Sequence, residues 1–175
     1  MLQKEKIIED LRDGKVIVLP TDTIYGISCL FSDKKARERI TELKGRTDEK
    51  KFVVLIGNVG QLLELGVLPT QAEQELIQKC WPGALTIAFT SELAVRLPAY
   101  PELCEVLQKT GPIISTSANI SGAKPAQTID EAKKMFGDKI DAYYDDGICS
   151  GSPSTLVKVE KEKVMVLRQG AFVIY

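Results

Sequence analysis

In the stretch PIISTSANISG (112–122), three apolar residues lead into a run of small hydroxyl side chains. A continuously apolar run is typical of a strand buried on both faces of an α/β sheet. Four hydroxyls and an asparagine suit the rim of a ligand site, because open α/β sheets bind ligands beyond the carboxyl ends of their strands. The alternative is a turn rich in hydrogen bonds from side chains to the backbone.

Apolar periodicity on both sides of this stretch predicts interleaved helices and strands. Towards the N-terminus we expect a helix through Ile7, Ile8 and Leu11, strands over 16–19, 26–31 and 52–56, and a helix capped by Ser32 or Asp33 with Ala36, Ile40 and Leu43 on its inner face. Further on we expect helices near 70–80, 101–109 and 130–136, and strands near 84–90, 93–97, 112–116, 155–159 and 164–167. This order predicts the α/β class with a mixed sheet, in one domain over residues 1–175.

Composition excludes several kinds of protein. The chain has no histidine, which removes Ser-His-Asp and Cys-His catalysis and imidazole zinc sites. Its net charge of −1 gives no global attraction to nucleic acid or to an anionic membrane. The four cysteines are far apart, so we expect reduced thiols in a cytoplasmic protein. No signal peptide or membrane-spanning run is expected.

A basic segment comprises the predicted helix after Ser32 or Asp33 and the loop that leads to the strand over 52–56. Residues 33–51 contain eight Lys or Arg against five Asp or Glu. We expect Lys44, Arg46 and Lys50 to be exposed loop cations, which could converge on phosphates. The alternative is a solvated helix face whose last cations interact favourably with the helix dipole.

Two further polar clusters resemble the hydroxyl run in their placement. Thr21-Asp22-Thr23 follows a predicted strand, and residues 152–155 precede one. Neither a P-loop nor a dinucleotide-binding glycine motif is present, so a nucleotide would have to be held by side-chain cations. We interpret Trp81-Pro82-Gly83 as a packed turn, because tryptophan is usually largely buried.

Seven motifs in this order resemble the YrdC-type family, the L-threonylcarbamoyladenylate synthases. They are LPTDTIYGI (19–27), LKGRTDEK (43–50), WPGALT (81–86), AVRLP (94–98), STSANISG (115–122), STLV (154–157) and LRQG (167–170). The resemblance extends from about Leu11 to Gly170 and implies a twisted open sheet around a deep cavity, in a single-domain form. It also implies condensation of L-threonine, bicarbonate and ATP into threonylcarbamoyl-AMP and pyrophosphate, with Mg²⁺ carried by ATP. The product would supply the machinery that transfers the threonylcarbamoyl group to tRNA, and direct tRNA binding stays open.

The resemblance also implies a role for individual residues. The catalytic group would be Lys44, Arg46, Ser117 and Asn119, around the ATP phosphates and with the metal near Asn119. Lys50 and Arg168 would join Arg46, Ser117 and Asn119 in binding ATP. Threonine would be held by Thr23, Arg96, Ser115 and Ser154, with the Arg96 guanidinium offering two parallel donors to the carboxylate. No general base is assigned; Asp22 is the nearest candidate, although we expect it to be structural.

The chain departs from the family pattern at several positions. Thr47 and Lys51 stand where prolines are common, Ala84 replaces a proline, and Tyr100 replaces a frequent histidine. Two other functions remain alternatives: an RNA-binding protein without catalysis, and a related enzyme that forms a carbamoyl-adenylate. Few aromatic residues and the near-zero net charge count against the first.

Overall fold

The computed structural model describes residues 2–45 and 52–174. The strands are β1 (Ile17–Leu19), β2 (Gly26–Leu30), β3 (Val53–Leu55), β4 (Leu85–Ala88), β5 (Ala94–Arg96), β6 (Ile113–Ser117), β7 (Ala142–Tyr143), β8 (Thr155–Glu160) and β9 (Lys163–Arg168). The helices are α1 (Lys4–Arg12), α2 (Lys34–Leu43), α3 (Gln61–Glu64), α4 (Gln71–Cys80), α5 (Pro101–Thr110) and α6 (Ile129–Phe136), followed by a 3₁₀ turn at Gly137–Lys139.

The described strands form one mixed sheet of nine strands in the order β7-β1-β2-β6-β3-β5-β4-β8-β9. Strand β6 lies in its interior and is antiparallel to both of its neighbours, β2 and β3. In this register Ser115 lies opposite Ser28 of β2 and Val53 of β3. The predicted α/β class with an open mixed sheet and flanking helices is confirmed.

Successive side chains of a strand point to opposite faces of the sheet. Apolar strands therefore present apolar side chains on both faces, and helices pack on both. In β1, Val18 belongs to the core cluster that includes apolar side chains of α2, α4 and α6. Leu19 belongs to the cluster formed with α1 and α5. Strand β1 is therefore buried on two sides, as its continuous apolar run indicates.

Local signals set the helix starts. Asp33, rather than Ser32, caps α2 by accepting a hydrogen bond from the backbone N–H of Ala36 at 3.0 Å. Thr70 and Glu73 form a capping box at α4, which satisfies two backbone donors at once. None of the helices among the described residues is long and apolar enough to cross a membrane.

One face of strand β6 is apolar at the start of the strand and carries hydroxyl side chains towards its end. Ile113 is buried with α1 and α5, whereas Ser115 and Ser117 follow at intervals of two residues and therefore face the same side. Opposite Ser117 stands Gly26, where a Cβ would overlap the hydroxyl oxygen of Ser115. The absence of a side chain at Gly26 leaves room for these hydroxyls on the sheet face.

The β8–β9 hairpin brings the end of the chain back to the start of β8. Arg168 pairs with Leu156, and its Nη2 donates to the carbonyl oxygen of Ser154 at 2.8 Å. Gly170 lies so close to the backbone of Pro153 and Ser154 that a Cβ would overlap it. This close approach accounts for the glycine that ends the LRQG motif.

Candidate functional site

A cavity of about 230 Å³ lies on the face of the sheet that carries Ser115 and Ser117. It is lined by hydroxyl, cationic and apolar residues from the two ends of the chain and from its middle. These are Thr21, Thr23, Ile24, Gly26, Val53, Leu55, Arg96, Ser115, Thr116, Ser117, Pro153, Ser154 and Arg168. The volume is below the roughly 300–1,000 Å³ of sites for drug-sized ligands and suits a molecule the size of an amino acid.

The hydroxyls of the cavity floor belong to strand β6 itself. We expected the hydroxyl run to be a rim beyond the end of its strand, but β6 continues to Ser117. Its backbone pairs with β2 and β3, so these residues are held by two ladders of hydrogen bonds. The site therefore rests on rigid elements rather than on a loop.

All four residues predicted to hold threonine line this cavity. Thr23 comes from the turn after β1, Arg96 from β5, Ser115 from β6, and Ser154 from the residue before β8. Each of them is at most 8% exposed. Buried polar groups are costly unless they have partners, and each of these four side chains has a hydrogen-bond partner within the protein.

Arg96 is the central charge of the cavity. Its Nη1 donates to Thr23 Oγ1 at 3.1 Å, and its Nη2 pairs with the carboxylate of Asp22. Burial lowers the pKa of the guanidinium, Asp22 opposes this shift, and Arg168 adds to it. The Nε–H is buried without a hydrogen-bond partner in the described part of the chain.

Asp22 holds Arg96 in place. One carboxylate oxygen pairs with the guanidinium and the other accepts from the backbone N–H of Ala99 at 2.9 Å. Because both oxygens are engaged, the geometry favours the structural role that we expected for Asp22.

Two cavity hydroxyls are each bonded to a hydroxyl deeper in the protein. Ser28 Oγ lies 3.1 Å from Ser115 Oγ, and Thr86 Oγ1 lies 2.7 Å from Ser154 Oγ. Ser28 and Thr86 are both 0% exposed. Thr86 belongs to the WPGALT stretch, whose Trp81 is buried and donates from Nε1 to the carbonyl oxygen of Leu85 at 2.7 Å, as expected of a packed turn.

Lys44 is fully buried, so the expectation of an exposed loop cation is wrong for this residue. Its Nζ donates to the carbonyl oxygens of Ser117 and Asn119, both at 2.6 Å, and to Asn119 Oδ1 at 2.7 Å. Asn119 Oδ1 also accepts from Ser117 Oγ at 2.6 Å. Lys44 and Asn119 thus contact the cavity through Ser117, because the side chain of Lys44 turns inward instead of into the solvent.

The residues predicted to bind ATP are only partly described. Ser117 and Arg168 line the cavity, and Asn119 adjoins it through Ser117. Arg46 and Lys50 lie outside the described residues, as do Thr47 and Lys51.

Asn119 does not fit a divalent cation in this arrangement. Its Oδ1 accepts from an ammonium group, and the positive charge of Lys44 would repel a metal at the same oxygen. Among the described residues there is no group of three or more Asp, Glu, Cys or His that could hold a metal. A protein-held Mg²⁺ usually has one or two carboxylate ligands.

The apolar wall of the cavity was not predicted from the sequence. Ile24, Val53 and Leu55 contribute this wall. Val53 and Leu55 belong to β3, whose register places Val53 beside Ser115. The sequence does predict the buried strand over 52–56. Only the order of the strands in the sheet shows that this strand lies beside the site.

The fold and the cavity together define a class of protein: an α/β protein with a small cavity lined by hydroxyls and two guanidinium groups. The model of the Sua5_yciO_yrdC family, which is described as telomere recombination, matches residues 9–170. The chain belongs to this family.

Relatives and solved structures agree with this assignment. The chain is 33% identical over 146 residues to the threonylcarbamoyl-AMP synthase of Shigella flexneri, covering 74% of this chain and 77% of the relative. The structure of P. abyssi Sua5 complexed with L-threonine matches with a TM-score of 0.87 and 27% identity over 95% of this chain. The chain spans about half of that structure's length, 54%. E. coli YciO has the same fold, with a TM-score of 0.84, 24% identity, and coverage of 95% of this chain and 88% of that one.

Proposed function

We propose that the chain is an L-threonylcarbamoyladenylate synthase, which condenses L-threonine, bicarbonate and ATP into threonylcarbamoyl-AMP and pyrophosphate. The carrying observation is the convergence of Thr23, Arg96, Ser115 and Ser154 on one cavity of amino-acid size. The names of the curated relatives support the same reaction. Such an enzyme is a nucleotidyltransferase that acts in tRNA modification.

Arg96 would bind the carboxylate of threonine. Arg96 lines the cavity, and its guanidinium has five N–H donors, of which Thr23 and Asp22 engage one each. Arg168 adds a second guanidinium, and the described lining residues include no carboxylate. Because Asp22 compensates only one of these two charges, the cavity favours an anion.

The apolar wall would contact the methyl group of threonine. Ile24, Val53 and Leu55 offer an apolar surface in the same cavity, with Val53 beside Ser115. A cavity with both kinds of lining can distinguish a small hydroxy amino acid from one that has only a hydroxyl or only methyl groups.

The reaction needs positioning and charge neutralisation more than a base. Bicarbonate carboxylates the threonine amine: the N–C bond forms, the C–OH bond of bicarbonate breaks, and water leaves with a proton from the amine. The resulting carbamate oxygen is an anionic nucleophile. It attacks the α-phosphorus of ATP; one P–O bond forms, the bond to the β-phosphate oxygen breaks, and pyrophosphate leaves with its electron pair. Preorganised donors can stabilise such a transition state, which agrees with a chain that has no histidine.

On the nucleotide side we propose Arg46, Lys50, Ser117 and Arg168, with Lys44 and Asn119 holding Ser117. The ammonium of Lys44 is engaged with carbonyl and amide oxygens of residues 117 and 119, so its part in this proposal is to fix that turn. Mg²⁺ would enter as part of the substrate, bound to the phosphates of ATP. The product would pass to the machinery that transfers the threonylcarbamoyl group to tRNA.

The direct test incubates the purified protein with ATP, bicarbonate and single amino acids, and detects adenylates by mass spectrometry. We expect threonylcarbamoyl-AMP only when L-threonine and bicarbonate are both present. In a parallel incubation with ATP and a carbamoyl donor but no threonine, formation of carbamoyl-adenylate would favour the related enzyme that forms a carbamoyl-adenylate. Salt-sensitive RNA binding without ATP turnover would favour the non-catalytic alternative.

A further inference from the structure

Two hydroxyls of the cavity are backed by hydroxyls that no ligand in the cavity can reach. Ser115 is backed by Ser28, and Ser154 is backed by Thr86, at oxygen–oxygen distances of 3.1 and 2.7 Å. The two outer residues line the cavity, whereas the two inner residues are 0% exposed. The same device therefore occurs at two separate places, once between β2 and β6 and once between β4 and the start of β8.

The direction of each hydrogen bond follows from counting protons. A hydroxyl has one proton to donate and two lone pairs that accept. Within residues 2–45 and 52–174, the hydroxyl of Ser28 hydrogen-bonds only to Ser115, and that of Thr86 only to Ser154. If an outer hydroxyl donated inward, the inner proton would be buried without an acceptor, which is costly. The inner hydroxyls are therefore the donors.

This direction determines what the cavity offers to a ligand. Ser115 and Ser154 accept from behind, so the proton of each is free to point into the cavity. The guanidinium groups of Arg96 and Arg168 can only donate. The polar lining consequently presents hydrogen-bond donors on several sides, which suits a ligand rich in oxygen acceptors such as a carboxylate or a carbamate.

We propose that Ser28 and Thr86 are positioning residues for substrate binding: each holds the hydroxyl in front of it as a donor to the ligand. This inference rests on the proposed function, in which the ligand is L-threonine. Thr86 then connects the WPGALT motif to the site, since it acts through Ser154 and does not itself line the cavity.

A double-mutant cycle on the Thr86–Ser154 pair tests the proposal, with the affinity for L-threonine measured by calorimetry. Thr86→Val keeps the shape of the side chain and removes its proton, so it should weaken binding about threefold to tenfold, the value of one neutral hydrogen bond. Ser154→Ala should weaken binding to a similar extent. The double variant should bind no more weakly than Ser154→Ala alone, because Thr86 acts only through Ser154.

Two further variants separate positioning from a general loss of structure. Thr86→Ser keeps the donor and should restore the affinity that Thr86→Val loses. Thr110→Val, at the end of α5, removes a hydroxyl that donates to Val106 and does not line the cavity, so it should bind L-threonine like the parent protein. If Thr86→Val fails to fold, the same cycle with Ser28→Ala and Ser115→Ala provides the test.

The outcomes distinguish this inference from the proposed function. Independent effects that multiply in the double variant, or no recovery in Thr86→Ser, would overturn the positioning role while leaving the synthase proposal intact. A parent protein that neither binds L-threonine nor consumes ATP with it would overturn both.

Discussion

The ammonium group of Lys44 donates to the carbonyl oxygen of Ser117 across 2.6 Å, although the two residues are 73 positions apart in the chain. The contact joins the end of α2 to the end of β6 and buries a positive charge beside the cavity. Ser117 is thereby held on its backbone by Lys44 while its hydroxyl donates to Asn119. A lysine that the sequence suggests as a phosphate ligand is therefore buried and hydrogen-bonded to the end of β6.

Lys44→Met should destabilise the protein by about 1–3 kcal/mol, because it leaves buried carbonyl oxygens without their donor. Urea unfolding measures this change. Lys34→Met, at the exposed start of the same helix, should change the free energy of unfolding by no more than about 0.5 kcal/mol. Equal stability of the two variants would contradict the role assigned to Lys44.

Arg96→Lys should weaken the binding of L-threonine about 10- to 150-fold, the range expected for hydrogen bonds to a charged group. Lysine keeps the positive charge next to Asp22 but lacks the planar pair of donors. Calorimetric titration with L-threonine measures the effect. Arg39→Lys, at the ion pair with Asp141 away from the cavity lining, is the matched control and should retain the parent affinity.

Arg46→Ala should reduce pyrophosphate release by well over tenfold, because removal of one preorganised charged group commonly costs about 10²–10³ in rate. The prediction comes from the basic motif in the sequence, since Arg46 lies outside the described residues. A pyrophosphate assay at saturating threonine measures the rate, and thermal unfolding should show little change. Full activity of this variant would remove Arg46 from the nucleotide site.

The choice of amino acid should follow the lining of the cavity. Serine lacks one methyl group and should react about 10–200-fold less efficiently than threonine, whereas valine lacks the hydroxyl and can be rejected by as much as ~10⁴. Pyrophosphate release with each amino acid, with and without bicarbonate, gives these ratios. Equal rates for threonine and valine, or rates indifferent to bicarbonate, would contradict both the cavity assignment and the synthase.

Asp10 should make the stability of the protein dependent on acid pH. Burial raises the pKa of its carboxyl, but hydrogen bonds from Lys15 and Tyr144 outweigh burial, and the pKa lies below its ordinary value. A lowered pKa stabilises the fold fully above the unfolded value of about 3.9, and this contribution is lost as the pH falls through the lower folded value.

Replacement by asparagine should therefore flatten the dependence of the unfolding free energy on pH below about 4. Urea unfolding of Asp10→Asn from pH 5.5 to 2.5 measures the slope. Asp13→Asn, whose side chain is 56% exposed near the end of the same helix, should keep the parent slope. If both variants keep the parent slope, Asp10 does not cause the dependence of the unfolding free energy on acid pH.

Local features of the fold were predictable because their causes are local. The spacing of Ile7, Ile8 and Leu11 predicts the buried face of α1. Asp33 can cap α2 whatever that helix packs against, because the cap bonds to the backbone of its own helix. The short helix α3 and the two-residue strand β7 were missed, since four and two residues are too few to give a periodic signal.

The strand order depends on contacts between distant segments, which one sequence does not reveal. Without it, Val53 could not be placed beside Ser115, and the apolar wall of the cavity stayed hidden. The burial of Lys44 could not be predicted for the same reason, because its hydrogen-bond partners lie on β6 and in the turn after it. The four residues proposed to hold threonine come from the family resemblance, and the geometry brings all four to one cavity.

The cavity draws on residues from Thr21 to Arg168, and this span has a consequence for refolding. Ser154 and Arg168 reach the site only when β8 has paired with β4 and the final hairpin has closed. Strands that are far apart in the sequence pair slowly, because the entropy of loop closure is lost before the contacts between them can compensate for it. After dilution from denaturant, recovery of ligand binding should therefore coincide with completion of the whole sheet, and a bound amino acid should stabilise both ends of the chain together.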